Sequence, residues 1–583
     1  MGIYTEVVIE QKKVALFLLT AILLLAAFFR FYRLSNAPPG LYPDEAANGN
    51  NAVEVLRSGS AKIFYPENNG REGLYINLQA VSIKLLGAEP GALRVVSAVF
   101  GMLTVLGLYL LVKELFSENP KPEVLNPKQA LNSNDQNNKP FLDFRHLGLS
   151  RNSSLGLRTS RGQFIALLSS FFLATSFWHV NFSRIGFRAI MVPFFGVFAM
   201  YWLLKALRTG NIWSAVAGGL AFGLGFHTYI AFRFMPLVAA VPILFSLARW
   251  RRGRTCSPCV VALFLLAAII AALPMGLYFL GHPADFFGRS GQVSILSAAS
   301  PLKEFLRSSA LTLGMFNIYG DCNARHNLAC QPMLFWPVGV LFVIGLGLTV
   351  RDLFRKSASF VPYTIAAWFL FLMLPAALTR EGLPHALRAI GLIPPVMLLS
   401  AQGGAWVWET LTAAVKRALA DPKNAAYARQ LRRIATELSV AGLAFLLWIG
   451  VAAYRDYFIR FATSPATADA FATDLLAAGR YIRDLPDDLE KVVVVNLSGE
   501  DIRGVPAPAQ TVMFASDTFD ADRRRERNVT YVSAVSEIRI DSERPAVIIP
   551  LNREDRETIA AIHKRFPALR GRVENGVLIF ATK

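Results

Sequence analysis

The run Val14-Ala-Leu-Phe-Leu-Leu-Thr-Ala-Ile-Leu-Leu-Leu-Ala-Ala-Phe-Phe29 is almost entirely apolar and lies between Lys13 and Arg33. About twenty apolar residues suffice for a helix to cross the hydrocarbon core of a bilayer. No small-residue cleavage site follows the run, so we expect a retained membrane anchor rather than a signal peptide. Similar segments recur through most of the 583 residues, of which 54% are hydrophobic. With a mean hydropathy of +0.39, the chain is too apolar for a soluble protein.

Eleven apolar segments are predicted to span the membrane, and two further short or re-entrant helices would raise the count to thirteen. They lie near residues 13–35, 91–116, 163–180, 187–207, 211–227, 231–249, 259–281, 335–350, 360–378, 387–409 and 436–455. The predicted fold class is therefore mainly α: a polytopic transmembrane helical bundle of about 11–13 spans, followed by a small C-terminal α/β domain.

Basic clusters indicate the orientation of the chain in the membrane. They occur at Arg249–Arg254, Arg351–Lys356 and Lys416–Arg433, and cytoplasmic loops carry such excesses of Lys and Arg. Sidedness thus accounts for the net charge of +19, and we expect no nucleic-acid partner. Counting spans from these loops predicts an integral cytoplasmic-membrane protein with its N-terminus inside. The segments predicted to lie outside are 36–90, 181–187, 228–231, 282–334, 379–386 and 456–583.

The composition divides the chain into two predicted domains, a transmembrane domain at 1–455 and a soluble extracytoplasmic α/β domain at 456–583. Within the first, 36–90 forms the first outer loop and 282–334 a second large outer loop. Residues 117–162 are rich in Asn, Lys, Pro and Ser and are expected to form a disordered cytoplasmic insertion.

Local patterns predict a few further elements. A short amphipathic helix is expected from Asp44 to Arg57, and a helix lying in the membrane interface from Leu74 to Leu86. In the soluble domain, strand-like runs occur at Lys491–Val495 and Ala546–Pro550, and helix-like stretches lie near 465–484 and 553–565.

The four cysteines fall into two pairs. Cys256 and Cys259 form a lone C-x-x-C in a basic inner loop, where incidental thiols are the favoured interpretation. Cys322 and Cys330 share an outer loop, where a disulfide is allowed, and the sequence leaves open whether they are bridged.

Two adjacent carboxylates follow the first span, in Leu41-Tyr-Pro-Asp-Glu-Ala-Ala47. Carboxylates at a bilayer boundary are costly to desolvate and usually mark chemistry or ion handling. Asp44 and Glu45 are therefore the predicted catalytic residues, because a carboxylate near a hydroxyl can act as a general base. The alternative for Asp44 is an N-cap on the helix that it precedes.

Arginines also gather on the predicted outer side. One or two would be ordinary interfacial anchors, but six favour an anionic partner such as a phospholipid-like head group, which guanidinium pairs with in a bidentate fork. Lipid anchoring without catalysis is the alternative. The predicted phosphate-binding residues are Arg94, Arg184, Arg188, Arg233, Arg289 and Arg388.

Several other outer-loop residues are candidates for the site. Carboxylates with imidazoles can bind a divalent cation, although no spacing here matches a defined metal motif and a structural role is favoured for any single histidine. These further candidates are Arg71, His227, Tyr229, Arg325, His326 and His385.

Several of these stretches resemble the glycosyltransferases of the C superfold that use polyprenyl-phosphate sugars. The similarity is to the family of protein O-mannosyltransferases and bacterial aminoarabinose transferases, and it covers roughly residues 10–410. It rests on the order of Pro43-Asp-Glu45, Arg71-Glu-Gly-Leu-Tyr75, Leu86-Gly87, Ala92-Leu-Arg-Val-Val-Ser97, Asn181-Phe-Ser-Arg-Ile-Gly-Phe-Arg188 and Gly225-Phe-His-Thr-Tyr-Ile-Ala-Phe-Arg233.

The resemblance implies that Asp44 is the catalytic carboxylate, with Glu45 beside it. It also implies that Glu72 and His282 share a divalent metal in some members, and that Arg94 and the later arginines hold the lipid phosphate. Some relatives carry a second aspartate where this chain has the arginines of Ser183-Arg-Ile-Gly-Phe-Arg188. The acceptor preference of those relatives therefore does not transfer.

The leading hypothesis is an inverting membrane glycosyltransferase at the outer face of the cytoplasmic membrane. It would move a sugar from a polyprenyl-phosphate carrier to a hydroxyl on a protein, lipid or glycan. A transporter or flippase of the lipid-linked sugar is the alternative, but the predicted spans carry almost no charge at their centres, where transporters place ionisable residues. A third possibility is a non-catalytic scaffold that carries the outer domain.

Overall fold

The structure is a computed structural model. It describes residues 2–117, 161–249, 256–286, 288, 294–295, 298–355, 359–541 and 544–582, with side chains from residue 12 onward. Nearly all of the predicted disordered insertion at 117–162 lies outside these residues, and so does Arg289.

Helices dominate the chain, as the sequence predicts. The first ten are α1 (Gly2–Phe31), α2 (Pro43–Ser58), α3 (Gly73–Leu86), α4 (Pro90–Leu115), α5 (Arg161–Thr175), α6 (Phe177–Phe182), α7 (Met191–Thr209), α8 (Ile212–Gly225), α9 (Met235–Arg249) and α10 (Ser257–Gly281). The next five are α11 (Pro301–Gly314), α12 (Trp336–Phe354), α13 (Val361–Ala377), α14 (Ile393–Ala420) and α15 (Ala428–Tyr454). The last five are α16 (Pro465–Ala470), α17 (Thr473–Asp484), α18 (Ala509–Ser516), α19 (Ala521–Glu526) and α20 (Arg556–Arg565).

Within the described residues, eight helical segments are long and apolar enough to cross a membrane: those of α1, α4, α7, α9, α10, α12, α14 and α15. Helices α8 and α13 are apolar but shorter, and each coincides with a predicted span, as α5 does. Every one of the eleven predicted spans thus falls on a helix. The fold class of a mainly α, polytopic membrane protein is confirmed.

Helix α2 begins directly after the cap residue Tyr42, whose backbone is extended. Pro43 occupies the first helical turn, where its missing N–H costs nothing. The helix ends at Gly59, whose φ of 67° fits the left-handed cap that glycine adopts readily. Asp44 lies inside the first turn, so the alternative interpretation of Asp44 as the N-cap is wrong. This placement sends the Asp44 and Glu45 side chains in different directions.

The chain after the membrane helices contains a five-stranded mixed sheet. Its strand order is β6-β3-β7-β9-β8, with β3 (Glu490–Val494), β6 (Val529–Val532), β7 (Ala546–Pro550), β8 (Arg570–Glu574) and β9 (Val577–Ala581). Two short hairpins, β1–β2 (Phe64–Tyr65 and Arg71–Glu72) and β4–β5 (Asp501–Ile502 and Val505–Pro506), lie elsewhere. Strand β3 is parallel to both β6 and β7. Apolar side chains pack on both faces of the sheet, which explains the continuous valine run at 492–495.

The sheet-bearing segment packs against α2. Phe514 of α18 lies so close to Gly49 that a Cβ at this glycine would come within 2.6 Å of its ring. Gly40, at a φ of +69°, would place a Cβ 2.2 Å from the carbonyl oxygen of Phe471. These close approaches require glycine at both positions. Helix α2 also packs against α3, so it lies between α3 and the C-terminal part of the chain.

Both cysteine pairs are disulfide-bonded. Cys322 is bonded to Cys330, which answers a question that the sequence leaves open. Cys256 is bonded to Cys259, so the interpretation of this C-x-x-C as incidental thiols is wrong. Their Cα atoms lie 5.3 Å apart, within the range that a disulfide can bridge.

Candidate active site

The Glu45 carboxylate is fully buried and accepts four hydrogen bonds. Two come from Arg94, where Nε lies 3.1 Å from Oε1 and Nη2 lies 3.1 Å from Oε2. The backbone N–H of Gly186 donates to Oε1 at 2.5 Å, and that of Tyr42 to Oε2 at 3.2 Å. A carboxylate so enclosed has no face open to a substrate. The predicted catalytic residue Glu45 therefore has a structural role and does not face a substrate.

Arg94 also has a structural role. Its guanidinium also donates to the carbonyl oxygens of Pro38, at 2.7 Å, and Gly40, at 2.8 Å. Because Arg94 is on α4 and its acceptors precede α2, the buried pair fixes the start of α2 against the membrane helices. Breaking such a pair on one side is costly, since it leaves an uncompensated buried charge.

Asp44 has a different environment, although it is the next residue. Its side chain is partly exposed, and Oδ1 accepts a hydrogen bond of 2.8 Å from Nδ2 of Asn68. Among the described residues no hydrogen-bond donor contacts its other oxygen. Asp44 is therefore an oriented carboxylate with one oxygen available to a ligand.

The residue that orients Asp44 lies in an unusual turn. Asn68, Asn69 and Gly70 have positive φ values of 52°, 64° and 76° in succession. Non-glycine residues rarely adopt this conformation, and Asn does so more readily than most. Residues held in such conformations cluster at functional sites, where the surrounding structure enforces them.

Two arginines lie beside this turn. Arg71 is buried and donates to the Oδ1 atoms of Asn48, at 2.9 Å, and Asn51, at 2.7 Å. Arg188 donates to Glu72 at 2.5 Å and to the carbonyl oxygen of Gly70 at 3.1 Å. Burial, with a further contribution from the positive charge of Arg188, lowers the pKa of Arg71 to about 10. Two guanidinium groups thus lie beside the turn that orients Asp44, and the acids Asp44 and Glu67 offset part of the repulsion at Arg71.

Aromatic rings flank the same region. The Arg188 guanidinium lies 5.5 Å from the centre of the Tyr229 ring, and the Arg325 guanidinium lies 4.1 Å from the centre of the Tyr42 ring. Distances of this size allow cation–π attraction. Arg325, from the loop before α12, thus reaches the residue that caps α2.

The other predicted phosphate ligands are engaged with partners within the protein. Arg184 is fully buried and donates to the carbonyl oxygens of Phe29, Tyr32 and Ala37. Arg94 is enclosed as described, so neither guanidinium has a face for a lipid phosphate, which differs from the prediction. Arg233 donates to the carbonyl oxygen of Phe286 at 3.1 Å, and Arg388 to Thr379 and Glu381.

The predicted metal residues Glu72 and His282 each have another partner in the structure. Glu72 pairs with Arg188, while the exposed His282 stacks on Tyr278 with ring centres 4.4 Å apart. His227 bonds the carbonyl oxygen of Ala271 at 2.9 Å. Among the described residues, one group of three potential ligands comes together instead, namely Asp321, His326 and His385.

The C-terminal segment reaches the same loop through a set of polar contacts, here called the clasp. Arg503 donates to Glu67 at 2.7 Å and to Glu54 at 2.9 Å. Asn69, next to the residue that orients Asp44, donates to Glu500 at 3.0 Å. The clasp ties the first loop to residues more than 430 positions away in the sequence.

Sequence reasoning missed several residues of this site. Asn68 belongs to an Asn-Asn-Gly turn signal, which could have directed attention to it. Asp321 lies five residues before the predicted His326. Gly186 and Arg503 carry no local signal, because their roles depend on segments that are remote in sequence.

The chain is similar to known proteins in its fold. It matches no protein-family model and no curated protein. Two solved structures of ArnT from Cupriavidus metallidurans do match over 99% of this chain and 98% of theirs. The fold is that of ArnT. The structure with undecaprenyl phosphate bound gives a TM-score of 0.52 and the apo structure 0.53, both at 14% identity. This agrees with the fold that the sequence resemblance implies.

Proposed function

We propose that this protein is an integral-membrane glycosyltransferase. It transfers a sugar from a polyprenyl-phosphate donor to a hydroxyl of a protein, lipid or glycan acceptor, with inversion. The observation that carries the proposal is the partly exposed Asp44 carboxylate, oriented by Asn68 and placed beside cationic side chains. The ArnT fold supports it, because one of the two ArnT structures holds undecaprenyl phosphate.

Asp44 is the general base in this mechanism. Its free oxygen accepts the proton of the acceptor hydroxyl while the hydroxyl oxygen attacks the anomeric carbon. The bond from that carbon to the phosphate oxygen breaks, and the electron pair leaves on the lipid phosphate. The phosphate departs as a stable anion, so the reaction needs no general acid. Positioned general bases contribute about 10²- to 10⁴-fold to a rate.

Arg188, Arg71 and Arg325 provide the positive environment for the phosphate. Arg188 and Arg325 are partly exposed and can contact the ligand directly, whereas the buried Arg71 acts through its charge. Fixed positive groups stabilise the charge that develops on the leaving phosphate without reorganising. Glu45 and Arg94 hold the start of α2, so they position Asp44 rather than react.

The topology predicted from the basic clusters belongs to this proposal. It places the N-terminus in the cytoplasm, and the first outer loop and the domain at 456–583 on the outer face. The clasp supports a common side for these two segments, because they contact each other directly. The proposed transmembrane domain at 1–455 then delivers the lipid donor to the site.

Reconstitution into proteoliposomes tests the proposal. The purified full chain is supplied with an undecaprenyl-phosphate-linked sugar and with membrane lipids and glycans as acceptors, and products are identified by mass spectrometry. We expect a glycosylated acceptor and free undecaprenyl phosphate. Movement of the lipid-linked sugar between leaflets with no glycosyl transfer would instead identify a flippase and overturn the proposal.

A further inference from the structure

We propose that Asp321, His326 and His385 form a binding site for a divalent transition-metal ion of the zinc class. The three residues come from two loops, the first before α12 and the second between α13 and α14. Each offers one ligand atom, and these atoms all lie within 4.8 Å of one another. This inference does not rest on the proposed function.

The distances suit a small metal ion. A tetrahedral zinc site with metal–ligand bonds of about 2.0–2.2 Å places neighbouring ligand atoms about 3.3 Å apart. Nδ1 of His326 lies 2.8 Å from Oδ2 of Asp321, and the rings of His326 and His385 have centres 5.0 Å apart. If Nδ1 of His326 and Oδ2 of Asp321 moved apart by about half an ångström, their separation would match that of two ligand atoms on one zinc ion.

The ligand types select the class of metal. Two imidazoles and one carboxylate suit zinc and its neighbours in the first transition series, whereas calcium and magnesium prefer oxygen ligands. Asp321 and His326 are each only 3% exposed, so a bound metal would be shielded from water on most sides. His385 is partly exposed, so the group is not closed to solvent on that side.

Hydrogen bonds within the protein already orient the side chain and the loop of Asp321 without a metal. Oδ1 of Asp321 accepts from the N–H of Asn323, and Oδ2 accepts from the N–H of Ala386, each at 2.8 Å. The side chain of Asn327 donates to the carbonyl oxygen of Asp321 at 3.0 Å. The Cys322–Cys330 disulfide closes the same loop. Such supporting bonds orient metal ligands and reduce the cost of binding.

A bound metal would fix the loop before α12 against the membrane helices. Nδ2 of Asn181 donates to the carbonyl oxygens of Arg325, at 2.8 Å, and His326, at 3.1 Å. Arg325, next to the ligand His326, lies over the Tyr42 ring. Metal binding therefore fixes the backbone that presents Arg325 to the start of α2.

Metal content tests the site. The tag-free full chain in detergent is stripped with EDTA, incubated with Zn²⁺ without reductant so that the cysteines stay bonded, desalted and analysed for zinc. We expect one zinc per chain in the wild type and at least a 10-fold loss of affinity in His385→Gln. Co²⁺ in place of Zn²⁺ should give the visible absorption of a four-coordinate site in the wild type, and that absorption should be lost in the variant.

His563→Gln is the matched control, because it removes an exposed histidine of α20 that belongs to neither candidate metal group. It should bind zinc as the wild type does. A wild-type chain without stoichiometric zinc, or a His385→Gln chain that retains it, would overturn the proposal. Zinc that is lost in His282→Gln and kept in His385→Gln would place the metal at Glu72 and His282, and this result would also overturn the proposal. His385→Gln should melt like the wild type in EDTA, which shows that the variant is folded.

Discussion

The guanidinium of Arg94 donates two hydrogen bonds of 3.1 Å to the carboxylate of Glu45, and both side chains are fully buried. The neighbouring Asp44 is partly exposed and is held by Asn68. Two adjacent acids therefore have different surroundings: one anchors the start of α2, and the other is partly exposed and is the base in the proposed mechanism. This division distinguishes the expected effects of substituting them.

Asp44→Asn should abolish most of the glycosyl transfer. The amide cannot accept the proton of the acceptor, so we expect the turnover rate to fall by about 10²- to 10⁴-fold. Binding of the lipid donor and the melting temperature should not change. Asp474→Asn, which removes an exposed acid from the first turn of α17, is the control. A full rate in Asp44→Asn would exclude this residue as the base.

Glu45→Gln should mainly lower stability. It leaves the Arg94 charge buried without its partner, a change that costs about 3–5 kcal/mol in comparable buried pairs. Thermal unfolding in detergent measures the loss. In the double variant Glu45→Gln/Arg94→Gln the two losses should be strongly non-additive. Simple additivity would show that the two side chains are not coupled.

The amide of Asn68 should matter for turnover rather than for folding. Glycine adopts a positive φ without strain, so Asn68→Gly keeps the turn and removes only the bond to Asp44. Hydrogen bonds to charged groups contribute about 1.5–3 kcal/mol, which corresponds to a decrease of roughly 10- to 100-fold in kcat. KM for the donor should stay constant. Asn69→Gly, which removes the contact with Glu500, should retain a kcat near that of the wild type.

Arg188→Gln should raise KM for the lipid donor about 10-fold or more, because it removes a cation that contacts the phosphate in the proposed mechanism. Part of any loss could come from the unpaired Glu72, which is buried. The double variant Arg188→Gln/Glu72→Gln removes both charges and separates the two causes. We expect it to bind the donor as weakly as the single variant. Recovery of donor binding in the double variant would refute direct phosphate binding by Arg188.

The clasp should lose strength in acid. Burial acts to raise the pKa of Glu54, but Arg503, together with the hydrogen bond from Asn51 and the charge of Lys62, outweighs it and holds this pKa below its usual value near 4.5. The stabilisation is thus present above pH 4.5 and disappears as the pH falls through the lowered pKa. Arg503→Ala should show a smaller drop in melting temperature between pH 6 and pH 3.5 than the wild type. Equal drops would contradict this role for Arg503.

The sequence predicted the elements of the fold better than the contacts of its charged groups. Apolar length alone located the membrane helices, and the Pro43-Asp-Glu motif located the start of α2. The burial of Arg94 and Arg184 could not be predicted, because an arginine near the end of a span looks the same whether it faces lipid phosphate or backbone carbonyls. The carbonyl oxygens that receive Arg184 lie about 150 residues earlier in the chain.

The relation of Asn68 to Asp44 was equally hidden, since it depends on a turn whose backbone conformation the residue types permit but do not require. The Asp321 group shows a different limit. His326 and His385 were individually visible as outer-loop histidines, yet their proximity depends on how two loops meet above the membrane helices. Charge pairs of this kind are set by tertiary packing rather than by local pattern.

The bond from Thr511 to the carbonyl oxygen of Leu41 joins residues 470 positions apart. During biosynthesis, α2 therefore cannot pack against the segment around Thr511 until most of the polypeptide has been synthesised. A truncated product therefore has both acids but lacks one of the surfaces against which their helix packs.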